Sequence, residues 1–109
     1  MSNRVQNVDG GRFESEVLQN QKPVLVDFYA DWCGPCRNIA PVVEDLADQY
    51  HEELDVRKVD VDSNAELAGQ FGIRSIPTLI VFKDGTPVDT IVGSVSRDQL
   101  KEAIDRNVH

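Results

Sequence analysis

Val24-Leu25-Val26-Asp27-Phe28-Tyr29-Ala30-Asp31-Trp32-Cys33-Gly34-Pro35-Cys36-Arg37 holds both cysteines of the chain where an apolar run gives way to a helical pattern. The run Val24 to Tyr29, opened by Lys22-Pro23, is almost continuously apolar. That is the pattern of a strand covered on both faces, as in a parallel sheet. Beyond the cysteines, Ile39, Val42, Val43, Leu46, Ala47 and Tyr50 recur at helical spacing. Pro41 interrupts this helix and is expected to kink it, because it has no N–H to bond back to Arg37.

Cys33 and Cys36 stand at i and i+3, so on one helical turn they share a face. Their Cα atoms then fall within the ~5–6 Å that a disulfide requires. A bridge closing so short a loop removes little unfolded-state entropy. The pair therefore points to a redox centre rather than a staple. Structural zinc needs four ligands; there is no second cysteine pair, and His51 and His109 lie outside the usual ligand spacings. Two incidental core thiols are the other alternative. Gly34-Pro35 opposes it, since that dipeptide shapes a helix start rather than filling a core.

Phe13, Val17 and Leu18 follow Asp9-Gly10 and predict a short first helix. Leu54 to Val61 alternates as a strand, and Ser63-x-x-Glu66 has the form of a capping box for a helix holding Leu67, Ala68 and Phe71. Thr78 to Phe82 is a strand, Lys83-Asp84-Gly85 turns the chain, and Val88 to Val92 returns as its hairpin partner. Ser96-x-x-Gln99 caps a last helix with Leu100, Ala103, Ile104 and Val108 inward. The order is roughly β-α-β-α-β-α-β-β-α, an α/β fold with a mixed sheet and helices on both faces.

A chain of 109 residues with 40% hydrophobic content fits one domain, residues 1–109, with a real core. No apolar stretch approaches the ~20 residues of a membrane span. The start MSNRVQNVDGG has neither an h-region nor a small-residue cleavage site, which favours the cytoplasm. There a two-cysteine protein keeps its thiols for catalysis rather than structure. The net charge of −8 argues against nucleic acid as a partner, and its spread along the chain fits a solvated surface. The expected state is a monomer, with no cofactor and no metal.

Two residues break the apolar patterns. Asp27 shares parity with Leu25 and Tyr29, and Lys58 shares parity with Leu54 and Val56. A buried carboxylate is expensive unless paired or neutralised. One reading is a structural ion pair, or an Asp at a strand edge facing water. The other is a carboxyl raised in pKa by desolvation, with Lys58 pulling the other way. Ligands in open α/β sheets collect at the carboxyl ends of strands, which places Asp27 as a proton acceptor beneath the cysteines.

The chain resembles the thioredoxin family along nearly its whole length. The resemblance rests on Val26 to Arg37, Ile39-Ala40-Pro41, Lys58-Val59-Asp60-Val61-Asp62, Phe71-Gly72-Ile73-Arg74-Ser75-Ile76-Pro77-Thr78, Gly85 and Gly93. It implies the thioredoxin fold: a central mixed sheet of about five strands flanked by about four helices. It also implies a general protein disulfide reductase, recharged by a thioredoxin reductase, and a cis peptide bond before Pro77. The Gly34-Pro35 dipeptide separates the chain from disulfide isomerases and strongly oxidising relatives, which usually carry His there. Asn38, Ser75 and Ser94 depart from residues common in the family, and these positions bear on substrate preference.

The expected mechanism puts Cys33 at the helix N-cap as the nucleophile, its thiolate favoured by the N–H of Cys36 and the macrodipole. Cys36, expected to be the more buried thiol, resolves the mixed disulfide, with Asp27 as general base and Lys58 tuning it. Trp32 reads either as core or as a shield and contact surface for the reactive thiol. Gly34, Ile76, Pro77, Val92 and Gly93 are expected to form a small apolar groove, and Pro35 to stiffen the motif. Protein substrates with disulfides follow as partners. The competing function class is a binding module, in which the motif loop docks onto a partner enzyme without redox turnover.

Overall fold

The computed structural model describes residues 4–108. Met1 to Asn3, part of the N-terminal stretch read above, and His109, set aside above as a zinc ligand, lie outside the described residues. Strand β1 (Val5–Asn7) leads to one π-helical turn (Glu14–Leu18), then β2 (Val24–Tyr29) and helix α1 (Gly34–Gln49). Strand β3 (Asp55–Asp60), helix α2 (Ala65–Gln70), strands β4 (Thr78–Lys83) and β5 (Thr86–Val92) and helix α3 (Arg97–Asn107) complete the chain. The five strands form one mixed sheet in the order β1-β3-β2-β4-β5, with β1, β3 and β2 parallel and β4 and β5 antiparallel.

Strand β2 lies at the centre, and five of its six residues are fully buried or nearly so, as its apolar run requires. Alternation divides the core between the two sheet faces. Leu25, Val56, Leu79 and Val81 pack with Ile39, Val43 and Leu46 of α1 and Leu100 and Ile104 of α3. Val24, Val26, Phe28, Ile80 and Phe82 pack on the other face with Phe13, Val17 and Leu67. Asp27 therefore points to the face covered by α1, where parity with Leu25 put it.

Several local expectations are corrected. The Ser63 capping box does not form: Asn64 is the N-cap of α2 and makes no side-chain cap bond. Its amide is engaged elsewhere, donating to the Asp60 carbonyl at 3.0 Å and accepting the Gly10 N–H at 3.2 Å. Tying the N-terminal loop to the end of β3 takes precedence over closing a six-residue helix. The first helix is a π turn, with the Gln19 N–H reaching the Glu14 carbonyl at 2.8 Å. Strand β3 is one residue shorter at each end than Leu54 to Val61. Strand β5 begins earlier, at Thr86, because Asp84 (φ 54°) and Gly85 (φ 79°) make the whole turn. Val108 caps α3 and, half-buried, packs against the core as its inward placement predicted.

Helix α3 starts as read: Ser96 accepts the Gln99 N–H at 3.1 Å, and the Gln99 side chain accepts the Ser96 N–H at 3.0 Å. Helix α1 continues through Pro41.

Candidate active site

After β2 the chain turns through Ala30-Asp31-Trp32, with the Cys33 N–H donating to the Ala30 carbonyl at 3.1 Å. Cys33 has extended backbone (φ −84°, ψ 110°) and caps α1, its Sγ accepting the Cys36 N–H at 3.2 Å. Gly34 and Pro35 occupy the first helical positions, where a missing N–H costs nothing. The Arg37 guanidinium donates to the Asp31 carbonyl at 2.7 Å and holds the preceding turn against the helix. Cys33 and Cys36 are joined as a disulfide, with Cα atoms 5.2 Å apart. The two cysteines are equally buried, each 4% exposed, so burial does not single out Cys36 as expected. Position separates them instead: Cys33 sits on the cap and Cys36 one turn inside the helix.

Trp32 is 68% exposed, which removes the core reading. Its indole N–H donates to Asp62 at 2.8 Å, so the ring is tied to the segment that follows β3 rather than free. Ile76 packs against Cys33 and Cys36, with its carbonyl oxygen 3.8 Å from the Cys33 Sγ. The Ile76–Pro77 peptide bond is cis. Gly93 (φ 93°) donates its N–H to the Pro77 carbonyl at 2.8 Å, and Val92 pairs with Thr78. Trp32 and Val92 are exposed, whereas Pro77 is buried.

Behind the cysteines lies a cavity of about 200 Å³ bordered by Asp27, Tyr29, Cys36, Arg37, Ala40 and Lys58. Asp27 is 5% exposed, and its Oδ1 has no hydrogen-bond partner. Register places Asp27 directly beside Lys58 on the neighbouring strand. Burial pushes the Asp27 carboxyl up to about 7, with the Lys58 charge pulling it down. Among the described residues, no group of three or more His, Cys, Asp and Glu side chains is placed to hold a metal. The geometry joins a sulfur pair at a helix N-terminus to a buried carboxyl of raised pKa behind it.

Comparison with known proteins agrees with this geometry. The thioredoxin family model matches residues 4–106. Thioredoxin 1 of Synechococcus elongatus is 52% identical over 101 residues, covering 93% of this chain and 94% of its own. Thioredoxin of Pseudomonas aeruginosa is 44% identical over 108 residues, covering 99% and 100%. The chain belongs to the thioredoxin family. Its fold is the thioredoxin fold, and Cys33–Cys36 is the redox-active pair of a dithiol–disulfide oxidoreductase.

Sequence reasoning missed two contacts of the site. The Tyr29 hydroxyl donates to Asn7 Oδ1 at 2.7 Å, and the Lys58 ammonium lies 5.5 Å from the centre of the Tyr29 ring. Asn7 ends a three-residue strand with one apolar side chain, which carries no periodic signal of its own.

Proposed function

We propose that this chain is a single-domain, monomeric reductase of protein disulfides in the cytoplasm, recycled by a thioredoxin reductase. The observation that carries the residue roles is the Cys36 N–H aimed at the Cys33 sulfur while Cys36 itself borders the cavity that holds Asp27. The reduced Cys33, as thiolate, attacks one sulfur of a substrate disulfide, forming a mixed disulfide and releasing the other sulfur as a thiolate. Helix-terminal N–H groups favour that thiolate. Cys36 then gives its proton to Asp27 and attacks the Cys33 sulfur, displacing the second substrate thiolate and forming the Cys33–Cys36 disulfide. Two electrons pass to the substrate, and a reductase returns two to the pair. Lys58 keeps part of the Asp27 population ionised and so able to accept the proton.

The substrate lies on the surface made by Trp32, Gly34, Pro35, Ile76, Val92 and Gly93, with Pro77 beneath it. The absent side chains of Gly34 and Gly93 let an extended peptide approach the backbone at Ile76. Among the described residues no helix is long and apolar enough to cross a membrane.

The test is trapping. Cys36→Ser is expected to accumulate mixed disulfides through Cys33, while Cys33→Ser traps nothing. Adducts found by mass spectrometry mainly on Cys36 of the Cys33→Ser protein would reverse the assigned roles.

A further inference from the structure

Asn7, Lys58 and Asp27 stand in one row across three parallel strands: Asn7 pairs with Lys58, and Lys58 with Asp27. Side chains of one row share a sheet face. Tyr29, two residues beyond Asp27, projects from that same face. Strand β3 lies between β2 and β1, yet the Tyr29 hydroxyl bonds to Asn7 on β1. The Tyr29 side chain thus reaches across the strand that carries Lys58, and the Lys58 ammonium lies within the ~6 Å range of a cation–π contact with its ring.

We propose that Tyr29, anchored at its far end by Asn7, is a positioning residue that holds the Lys58 ammonium toward Asp27 and thereby sets the pH range in which Asp27 takes the Cys36 proton. The proposal rests on Asp27 being the general base. A lysine ends in a strongly hydrated point charge on a four-carbon stem, and left free it swings toward bulk water. A ring fixed at both ends gives that charge a face to rest on with little further loss of freedom. The phenol remains a hydroxyl donor through neutrality, because burial, then Asp60 and Asp31, push its pKa up against the Asn7 bond.

The neighbouring charges do not replace Lys58. Arg12 is committed to the Asn7 carbonyl at 3.0 Å and to Glu16 at 3.2 Å. Arg37 is committed to the Asp31 carbonyl. Asp9, Asp31 and Asp60 line the adjoining cleft, which shares Tyr29 and Lys58 with the Asp27 cavity. Lys58 is the charge that draws the Asp27 proton affinity down.

The experiment is a carbon-13 NMR titration of the Asp27 carboxyl, with insulin-reduction rates measured across the same pH range. Tyr29→Leu is expected to raise the Asp27 midpoint by about half a pH unit, on the scale of a weak cation–π contact. Tyr29→Phe, which keeps the ring but loses the anchor, is expected to raise it less. In a Lys58→Met background Tyr29→Leu is expected to add no upward shift. Should Tyr29→Leu not fold, Asn7→Ala at its exposed position takes its place, with a smaller rise of the same sign. A rise of equal size without Lys58, or none with it, overturns the proposal. An Asp27→Asn protein whose rate profile matches the wild type would instead sink the general-base reading, while the carboxyl titration still judges Tyr29.

Discussion

Helices α1 and α3 begin alike and serve different ends. Each follows an N-cap residue of extended backbone whose side chain accepts the N–H three residues on, Cys33 at 3.2 Å and Ser96 at 3.1 Å. At α3 the cap is closed: Gln99 returns the bond, and Asp98 puts a negative charge in the first turn. At α1 the first turn has no acidic residue, and Pro35 removes one of the competing donors. The positive end of α1 is thus left for whatever charge the capping sulfur develops. The same capping geometry is structural with an oxygen and reactive with a sulfur. What surrounds the cap decides whether the helix end is neutralised in advance or held for chemistry.

The largest effect should come from exchanging the capping atom. Cys33→Ser keeps a good N-cap, so its melting temperature is expected to match that of Cys36→Ser closely, both lacking the disulfide. Its insulin reduction should fall to background. A Cys33→Ser protein that still turns over would mean that the cap sulfur is not the nucleophile.

The carboxyl behind the α1 cap gives the next largest effect, and α3 has no counterpart to it. Asp27 holds its proton more tightly when folded, at about 7, than at its ordinary value of 3.8. Below the ordinary value both states are protonated and nothing is lost. As pH rises toward 7 the unfolded chain ionises while the folded one does not, so stability falls through that window and levels off above it. Asp27→Asn or Asp27→Ala is therefore expected to raise stability at pH 8 by about 1–4 kcal/mol, and to change little near pH 4. The same variants should reduce insulin more slowly at pH 6–7, where hydroxide is too scarce to deprotonate Cys36. Denaturant titrations at several pH values measure the first half and single-turnover rates the second. A variant less stable at pH 8 would make Asp27 an ordinary structural acid.

The smallest effect belongs to α3. Ser96→Ala removes an oxygen cap and is expected to cost about 1 kcal/mol of stability with insulin reduction unchanged. A loss of activity there would erase the distinction between the two helix ends.

Much of this was legible along the chain. The apolar run of β2, the periodicity of α1, the Asp84-Gly85 turn and the Ser96 box are local signals, and each places its element within a residue or two. The cysteine pair and the misplaced Asp27 and Lys58 were legible as well, because spacing and parity put them on shared faces before any fold is assembled. The first strand stood in the expected order, but its residues were not legible, since only Val5 of the three is apolar and pairing with β3 makes it a strand. Local pattern also failed at Ser63, where Asn64 serves a distant loop instead of its own helix. Equal burial of the two cysteines, the exposure of Trp32 and the reach of Tyr29 to Asn7 are contacts between segments far apart in sequence. The order of elements and the chemical groups brought to the end of β2 follow from the chain alone, because periodicity and residue type are carried by neighbours along it. Packing across the sheet sets the company those groups keep: a buried carboxyl whose Oδ1 lacks a hydrogen bond, a lysine beside a ring, a sulfur at an uncompensated helix end. Desolvation and charge coupling depend on what packs across the sheet, which no single stretch of sequence contains.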